Sequence, residues 1–221
     1  MPLYHGTLFA VDEKEMLRYA GIPRKENFPE TAVREAAAEA RALASPRGIW
    51  EFFPYEPETG VLGDGENAFP LRGTAIRNHL RNSFTVAALA VTVGNAIEET
   101  SDACFQENQY VQGLLLDAAA TALTEQLADE LEAYIKTQAQ KRGANTTWRF
   151  SPGYGDWPIE DQACFCQLLE TETIDLSVTD HFMLNPRKSV TAVIGLTPCA
   201  KKPAGAACQN CSLRSCAFRE R

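Results

Sequence analysis

The sequence predicts an α+β fold: a mainly antiparallel, twisted sheet packed with helices and followed by a short cysteine-rich tail. Strand-like and helix-like stretches succeed one another without a regular βαβ rhythm, which argues against a parallel, doubly wound sheet. One long amphipathic segment, 110–141, lies between two β-branched apolar ones, 83–93 and 189–196. Cysteine is concentrated at the far end, with four of the seven falling between Cys199 and Cys216.

Residues 12–44 are expected to be helical. Asp12 and Glu13 give an acidic start, and Gly21-Ile22-Pro23 interrupts the run. An alanine-rich stretch from Pro29 to Ala44 then resumes it, with Pro29, Glu30 and Thr31 suited to a first turn. Pro54, Pro57, Gly60, Gly63, Gly65, Pro70 and Gly73 predict hairpins and loops over 54–73. Ser83 to Val93 suits a buried strand, and Gly94 to Thr100 opens a helix directly after it.

In the long segment from Tyr110 to Lys141, Leu116, Ala120, Leu123, Leu127, Leu131 and Tyr134 step by threes and fours. They should form one stripe facing a core, and Gly143 should end the helix. Thr146 to Phe150 is expected to be a short strand entering a Pro/Gly turn over 151–158. Ile174 to Val178 is a further candidate strand. Ser189 to Leu196 is a stronger one, with Val190, Ala192, Ile194 and Leu196 on one face. The expected layout is an N-terminal helical and loop part, 1–80, belonging to the same domain as a core over 81–198, with the tail at 199–221.

At 221 residues the chain can bury one sizeable core, but not two unrelated full-sized domains. Its hydrophobic and charged fractions, 45% and 23%, are those of a globular protein rather than a disordered one. A net charge of -8 argues against general affinity for nucleic acid or anionic membrane, since both reward a basic surface. The charge is uneven, however. Residues 199–221 hold five basic side chains against Glu220 alone, a local +4 that leaves -12 on the rest.

Met1 to Ala10 shows no basic stretch followed by an apolar one, and no apolar run approaches the roughly 20 residues of a membrane span. A cytoplasmic location is therefore expected. In a reducing compartment seven cysteines are thiols or metal ligands rather than a disulfide framework.

Two short segments carry the functional signal. The first is Arg149-Phe-Ser-Pro-Gly-Tyr154, continuing to Pro158. Arginine presents a planar fork to a carboxylate, glycine lets backbone approach a ligand, and tyrosine adds a flat face with a polar tip. Together they suit a zwitterionic amino-acid ligand, although the hexamer alone fits a plain turn with an exposed arginine and a packing tyrosine. The second runs from Val178 to Val190, a turn bounded by Asn185-Pro186 that leads into the last strand. Alone it is a turn, and His181 on its own is structural.

The pair, in this order and after a long amphipathic helix, resembles the activation domain of cobalamin-dependent methionine synthase. That family binds S-adenosylmethionine through an Arg-x-x-x-Gly-Tyr turn and has a later Thr-Asp/Glu-Ser-x-x-Met-x-Pro stretch. Arg149, Gly153 and Tyr154 match the first, and Thr179-Asp180-His181-Phe182-Met183-Leu184-Asn185-Pro186 matches the second, with His181 in place of the usual serine. Leu115 to Ala119, with Glu125, Asp129 and Glu130 beyond, resembles the helix of short, free-standing members.

The resemblance spans about 80–196. It implies that Arg149 holds the ligand carboxylate and that backbone near Ser151 and Gly153 meets the nucleoside. A helix carboxylate, Asp129 by position, would receive the ammonium, with a solvated acidic face as the alternative. No catalytic acid, base or nucleophile is implied. The implied activity is reductive reactivation of a corrinoid-dependent methionine synthase or its cobalamin-binding subunit, which carries the cobalamin. The electron would come from a ferredoxin- or flavodoxin-like donor.

Cys199-x8-Cys208-x2-Cys211-x4-Cys216 places four thiolates within reach of one metal or cluster, and the spacing suits zinc as well as an iron-sulfur cluster. Similar tails on free-standing activation proteins of anaerobes imply a cluster of the 4Fe-4S type. Cys104, Cys164 and Cys166 are expected to be buried or spare thiols. Two other readings stay open: a methyltransferase using the same ligand on another acceptor, and a non-catalytic, zinc-stapled module that binds a corrinoid protein.

Overall fold

Strand β5 (Thr85–Thr92) sets the architecture, because almost every residue in it is buried. Ala87, Leu89 and Val91 face one apolar cluster and Val86, Ala88 and Ala90 another, so the sheet must be covered on both sides. The coordinates are a computed structural model, and they describe residues 1–8, 10–22 and 29–198.

The elements in chain order are β1 (Leu3–Tyr4), α1 (Glu13–Tyr19), α2 (Glu30–Leu43), β2 (Arg47–Glu56), β3 (Val61–Leu62), β4 (Phe69–Pro70) and α3 (Thr74–Leu80). After β5 come α4 (Ala96–Gln106), α5 (Tyr110–Lys141), β6 (Ala144–Thr146), α6 (Asp161–Leu169), β7 (Ser177–Val178), β8 (Leu184–Asn185) and β9 (Ser189–Pro198). The main sheet has the order β4-β3-β2-β5-β9-β6, with β1 also on β2, and every pairing in it is antiparallel. The expected α+β class, with a mainly antiparallel sheet packed by helices, is what forms.

Helix α5 is the spine of one face. Leu116, Ala120, Leu123, Leu127 and Leu131 are fully buried, each Leu contributing about 1.5–3 kcal/mol by leaving water. The stripe continues through Ile135 and Ala139 instead of Tyr134, which is 42% exposed and lies at the helix edge against Tyr4 and Trp50. Helices α1, α2 and α4 pack on α5, and α3 and α6 cover the other face of the sheet. Asp12 caps α1, its Oδ1 accepting from the N–H groups of Lys14 and Glu15.

Several elements differ from the sequence expectation. Strand β2, the partner of β5 over eight residue pairs, was not foreseen, nor were α3 and α6. The strand expected at Ile174–Val178 is instead a 3-10 turn, Thr171–Ile174, followed by the two-residue β7. The strand expected at Thr146–Phe150 divides into β6 and a single bridge from Phe150 to Val193. No helix among the described residues is long and apolar enough to cross a membrane.

Candidate ligand-binding site

Asp117, Thr121, Glu125, Asp129 and Glu132 recur every three or four residues and therefore form a polar row along one side of α5. Two mostly buried cations lie on it. Lys188 Nζ reaches Asp117 Oδ1 at 2.8 Å and Thr121 Oγ1 at 2.9 Å. Further along, the Arg149 guanidinium contacts Asp129 Oδ1 at 2.5 Å, Glu132 Oε2 at 2.8 Å and Glu125 Oε2 at 3.5 Å. Both sequence segments are thereby fastened to one helix, Arg149 from the first and Lys188 from the second.

Three carboxylates surround one guanidinium, with Arg18 acting on Glu125 and Lys136 on Glu132 from further away. Burial, more than the nearby charge of Asp129, pushes the carboxyl groups of Glu125 and Glu132 above the usual range, while Arg149 pulls them back. Glu125 keeps 44% of its side-chain surface open, so water screens it more than Glu132. Arg149 itself is only 19% exposed. An ammonium or another cationic group placed here would relieve the crowding.

Beyond Arg149 the chain turns tightly. Tyr154 N–H donates to Ser151 O at 3.1 Å, Gly153 N–H to Trp157 O at 2.9 Å, and Trp157 N–H to Tyr154 O at 3.0 Å. Gly153 has φ +88°, a conformation glycine adopts without penalty, and it is exposed. Its N–H is used inside the turn, and a Cβ there would lie 3.2 Å from Ile159 Cδ1. Tyr154 is 53% exposed, with its ring edge-on to Phe150. Buried Trp157 anchors the turn by donating from Nε1 to Asp161 Oδ2 at 2.8 Å. The structure thus brings Arg149 and Asp129 into contact and sets Ser151, Gly153 and Tyr154 in one turn directly after them.

The second segment runs from the β7–β8 hairpin into β9. Thr179 N–H donates to Met183 O, Met183 N–H returns to Thr179 Oγ1, and the Asn185–Pro186 peptide is cis. His181 and Met183 are exposed at the tip. Arg187, at the hairpin base, is held by buried Glu98 and by Asp102. Ser189, where β9 begins, stands four residues before Val193, the bridge partner of Phe150. The base of the hairpin is therefore about 13 Å along the strand from the Arg149 turn.

Glu132 and Lys188 carry no role in the sequence reading, although their places on the four-residue row of α5 and within the second segment were available signals. Cys104 and Cys166 are buried thiols, both pushed up by burial, and Cys164 is exposed. Cys199, Cys208, Cys211 and Cys216 lie outside the described residues. Among the described residues no group of His, Cys, Asp or Glu is arranged to hold a metal ion. A cleft of about 400 Å³ lies between α2 and the start of α5, but its lining has no cation for a carboxylate, and Glu35 is its one charged side chain. The Arg149 cluster is the better candidate.

Residues 76–217 match the family model of the vitamin B12 dependent methionine synthase, activation domain. The chain belongs to this activation-domain family. The match runs past the 80–196 stretch covered by the two segments and into the cysteine tail. Among solved structures, the crystal structure of the MetH reactivation domain bound to AdoHcy is similar in fold, with a TM-score of 0.58 and 16% identity. That alignment covers 92% of this chain and 80% of the other. No match was found among curated proteins.

Proposed function

We propose that this activation-domain protein binds S-adenosylmethionine at the Arg149 turn and uses it to reactivate a corrinoid-dependent methionine synthase. The observation that carries the reading is the placement of Arg149. It sits against Asp129, Glu132 and Glu125 at the mouth of the Gly153-Tyr154 turn, in a chain whose fold matches a reactivation domain solved with S-adenosylhomocysteine.

In this reading Arg149 takes the ligand carboxylate. Its guanidinium has five N–H donors, more than its two contacts under 3 Å use, so a ligand can be added to the existing pairs. Asp129 faces the ammonium, helped by Glu125 and Glu132. Backbone at Ser151 and Gly153 meets the nucleoside, and the Tyr154 ring covers it.

The partner, the methionine synthase or its cobalamin-binding subunit, brings the corrinoid. One electron converts cob(II)alamin to cob(I)alamin, whose cobalt then attacks the sulfonium methyl. The sulfur–methyl bond breaks, its electron pair stays on sulfur, and a cobalt–methyl bond forms, leaving S-adenosylhomocysteine and methylcob(III)alamin. No proton moves, so the chain needs to supply position and electrostatics rather than an acid or base.

The electron relay belongs to the tail. Cys199, Cys208, Cys211 and Cys216 supply the four-thiolate donor set of a 4Fe-4S cluster, which would provide one-electron transfer from a ferredoxin- or flavodoxin-like donor, and the +4 charge around them suits an anionic cluster. Zinc takes the same donors but carries no electron. Absorbance of anaerobically purified protein separates the two. Serine at Cys208 or Cys211 should abolish a visible charge-transfer band and reactivation with the physiological donor, while S-adenosylmethionine binding persists. A colourless, zinc-loaded protein would remove the relay.

A further inference from the structure

We infer that helix α3 is a positioning element for the ligand turn, acting through Asp156 and His79. This rests on the reading of the Arg149 turn as the S-adenosylmethionine site. The helix touches the chain on both sides of that turn. At its start, the N–H groups of Thr74 and Ala75 donate to Asp156 Oδ2 and Oδ1 at 2.7 and 2.8 Å. Near its end, His79 Nε2 lies 2.9 Å from the carbonyl oxygen of Trp148. The His79 ring also packs on Trp148 and Phe150, with centroids 4.2 and 5.2 Å away. Trp148 immediately precedes Arg149, and Asp156 stands two residues after Tyr154, so one rigid helix fixes both ends of the proposed ligand-binding stretch.

The junction before α3 is shaped for the same purpose. A Cβ on Gly73 would lie 2.6 Å from the Asp156 carbonyl oxygen, and Gly73 has φ +111°, so no other residue allows this approach without strain. Next to it, Arg72 donates through its backbone N–H and through Nε to Asp161, which also holds the Trp157 indole. The span 72–79 is therefore bonded to the turn at Trp148, Asp156 and Asp161.

The Asp156 contacts lie on the exposed side of α3, whereas Ile76 and Leu80 seat the helix in the core. Removing the Asp156 carboxylate should therefore release the turn without unfolding the helix. The two N–H donors bring the Asp156 carboxyl below the usual range, so the latch stays closed throughout neutral and mildly acidic conditions.

Asp156→Ala and Asp156→Asn in the full chain test this with two readouts. Calorimetric titration with S-adenosylmethionine should show affinity at least fivefold weaker for the alanine variant. The asparagine variant keeps one of the two acceptor oxygens but turns its NH2 towards the other N–H, so its affinity should lie between those of the alanine variant and wild type. Hydrogen exchange of the ligand-free protein should show faster exchange over 150–157 in the alanine variant, with β5 and α5 unchanged. Wild-type affinity in Asp156→Ala, or unchanged exchange over 150–157, would overturn the inference, as would an asparagine variant that binds no more tightly than the alanine variant. If wild type itself does not bind S-adenosylmethionine, the functional reading fails, and the exchange result alone still decides whether α3 positions the turn.

Discussion

The guanidinium of Arg149 lies 2.5 Å from Asp129 and 2.8 Å from Glu132, so the residue assigned to the ligand carboxylate is held in place by the helix assigned to its ammonium. Arg149→Ala is expected to weaken S-adenosylmethionine binding by about 1.5–3 kcal/mol, the range for a charge-assisted hydrogen bond. Calorimetry checks this, and unchanged affinity would mean the carboxylate is held elsewhere.

The same cluster makes the ligand-free protein pay for burying Glu132. Glu132 is held above the usual carboxylate range, mainly by burial. A raised acid binds more protons folded than unfolded, so its contribution is intact below the unfolded value of about 4.3 and is lost as pH rises through the raised folded value. Glu132→Gln should therefore raise the melting temperature of the ligand-free protein at pH 7 and leave it little changed near pH 4. Thermal melts across that range decide it. A lower melting temperature at pH 7 would show that Glu132 is needed for stability as a partner of Arg149.

His79 acts in the opposite sense. Desolvation lowers its pKa from 6.5 to about 4, against the hydrogen bond to Trp148 O. Between these values the unfolded chain binds the extra proton, so stability is present above pH 6.5 and is lost on acidification towards pH 4. The gap is worth about 3 kcal/mol. His79→Gln keeps a donor for Trp148 O but does not titrate. Its stability relative to wild type should rise as pH falls through this window, as measured by chemical denaturation at several pH values. A constant difference would mean that His79 is not buried neutral.

Gly195 packs against Ser83 so closely that a Cβ would lie 2.3 Å from Ser83 Oγ and 2.9 Å from Leu80 Cδ2. Gly195→Ala should cost about 1–3 kcal/mol from overpacking. Ser83 Oγ is buried and has no hydrogen-bond partner among the described residues, so Ser83→Ala alone should be near neutral. The double variant should be less damaged than Gly195→Ala, because the two positions share one contact. Equilibrium unfolding of the three variants measures this coupling, and strict additivity would contradict it.

What was legible in the sequence follows from the strength of the local signal. Helix α5 and strand β9 carry long, uninterrupted periodic patterns, and β5 is continuously apolar because both of its faces are covered. Strand β2 was missed because Glu51 and Pro54 interrupt its apolar run, although the aromatic residues Trp50, Phe52 and Phe53 mark it. Helix α3, one of the shortest, has no side-chain cap of its own, and its cap comes from Asp156 more than 80 residues away. No local reading reaches that far. At the site, Arg149, Gly153 and Tyr154 were visible as a pattern, and the family match agrees with the resemblance they carry. The pairing of Arg149 with Glu132 was not visible, since it depends on how the turn folds back onto α5.

The most direct test of the central claim is spectroscopic. A methionine synthase or cobalamin-binding subunit in the cob(II)alamin state is mixed anaerobically with this protein, S-adenosylmethionine and a strong one-electron reductant. The cobalamin spectrum is then followed alongside S-adenosylhomocysteine release. The account predicts conversion to methylcob(III)alamin with one S-adenosylhomocysteine formed per cobalamin, dependent on this protein and strongly slowed by Arg149→Ala. Cob(II)alamin that persists with wild-type protein, or methylation at the same rate without it, would contradict the account.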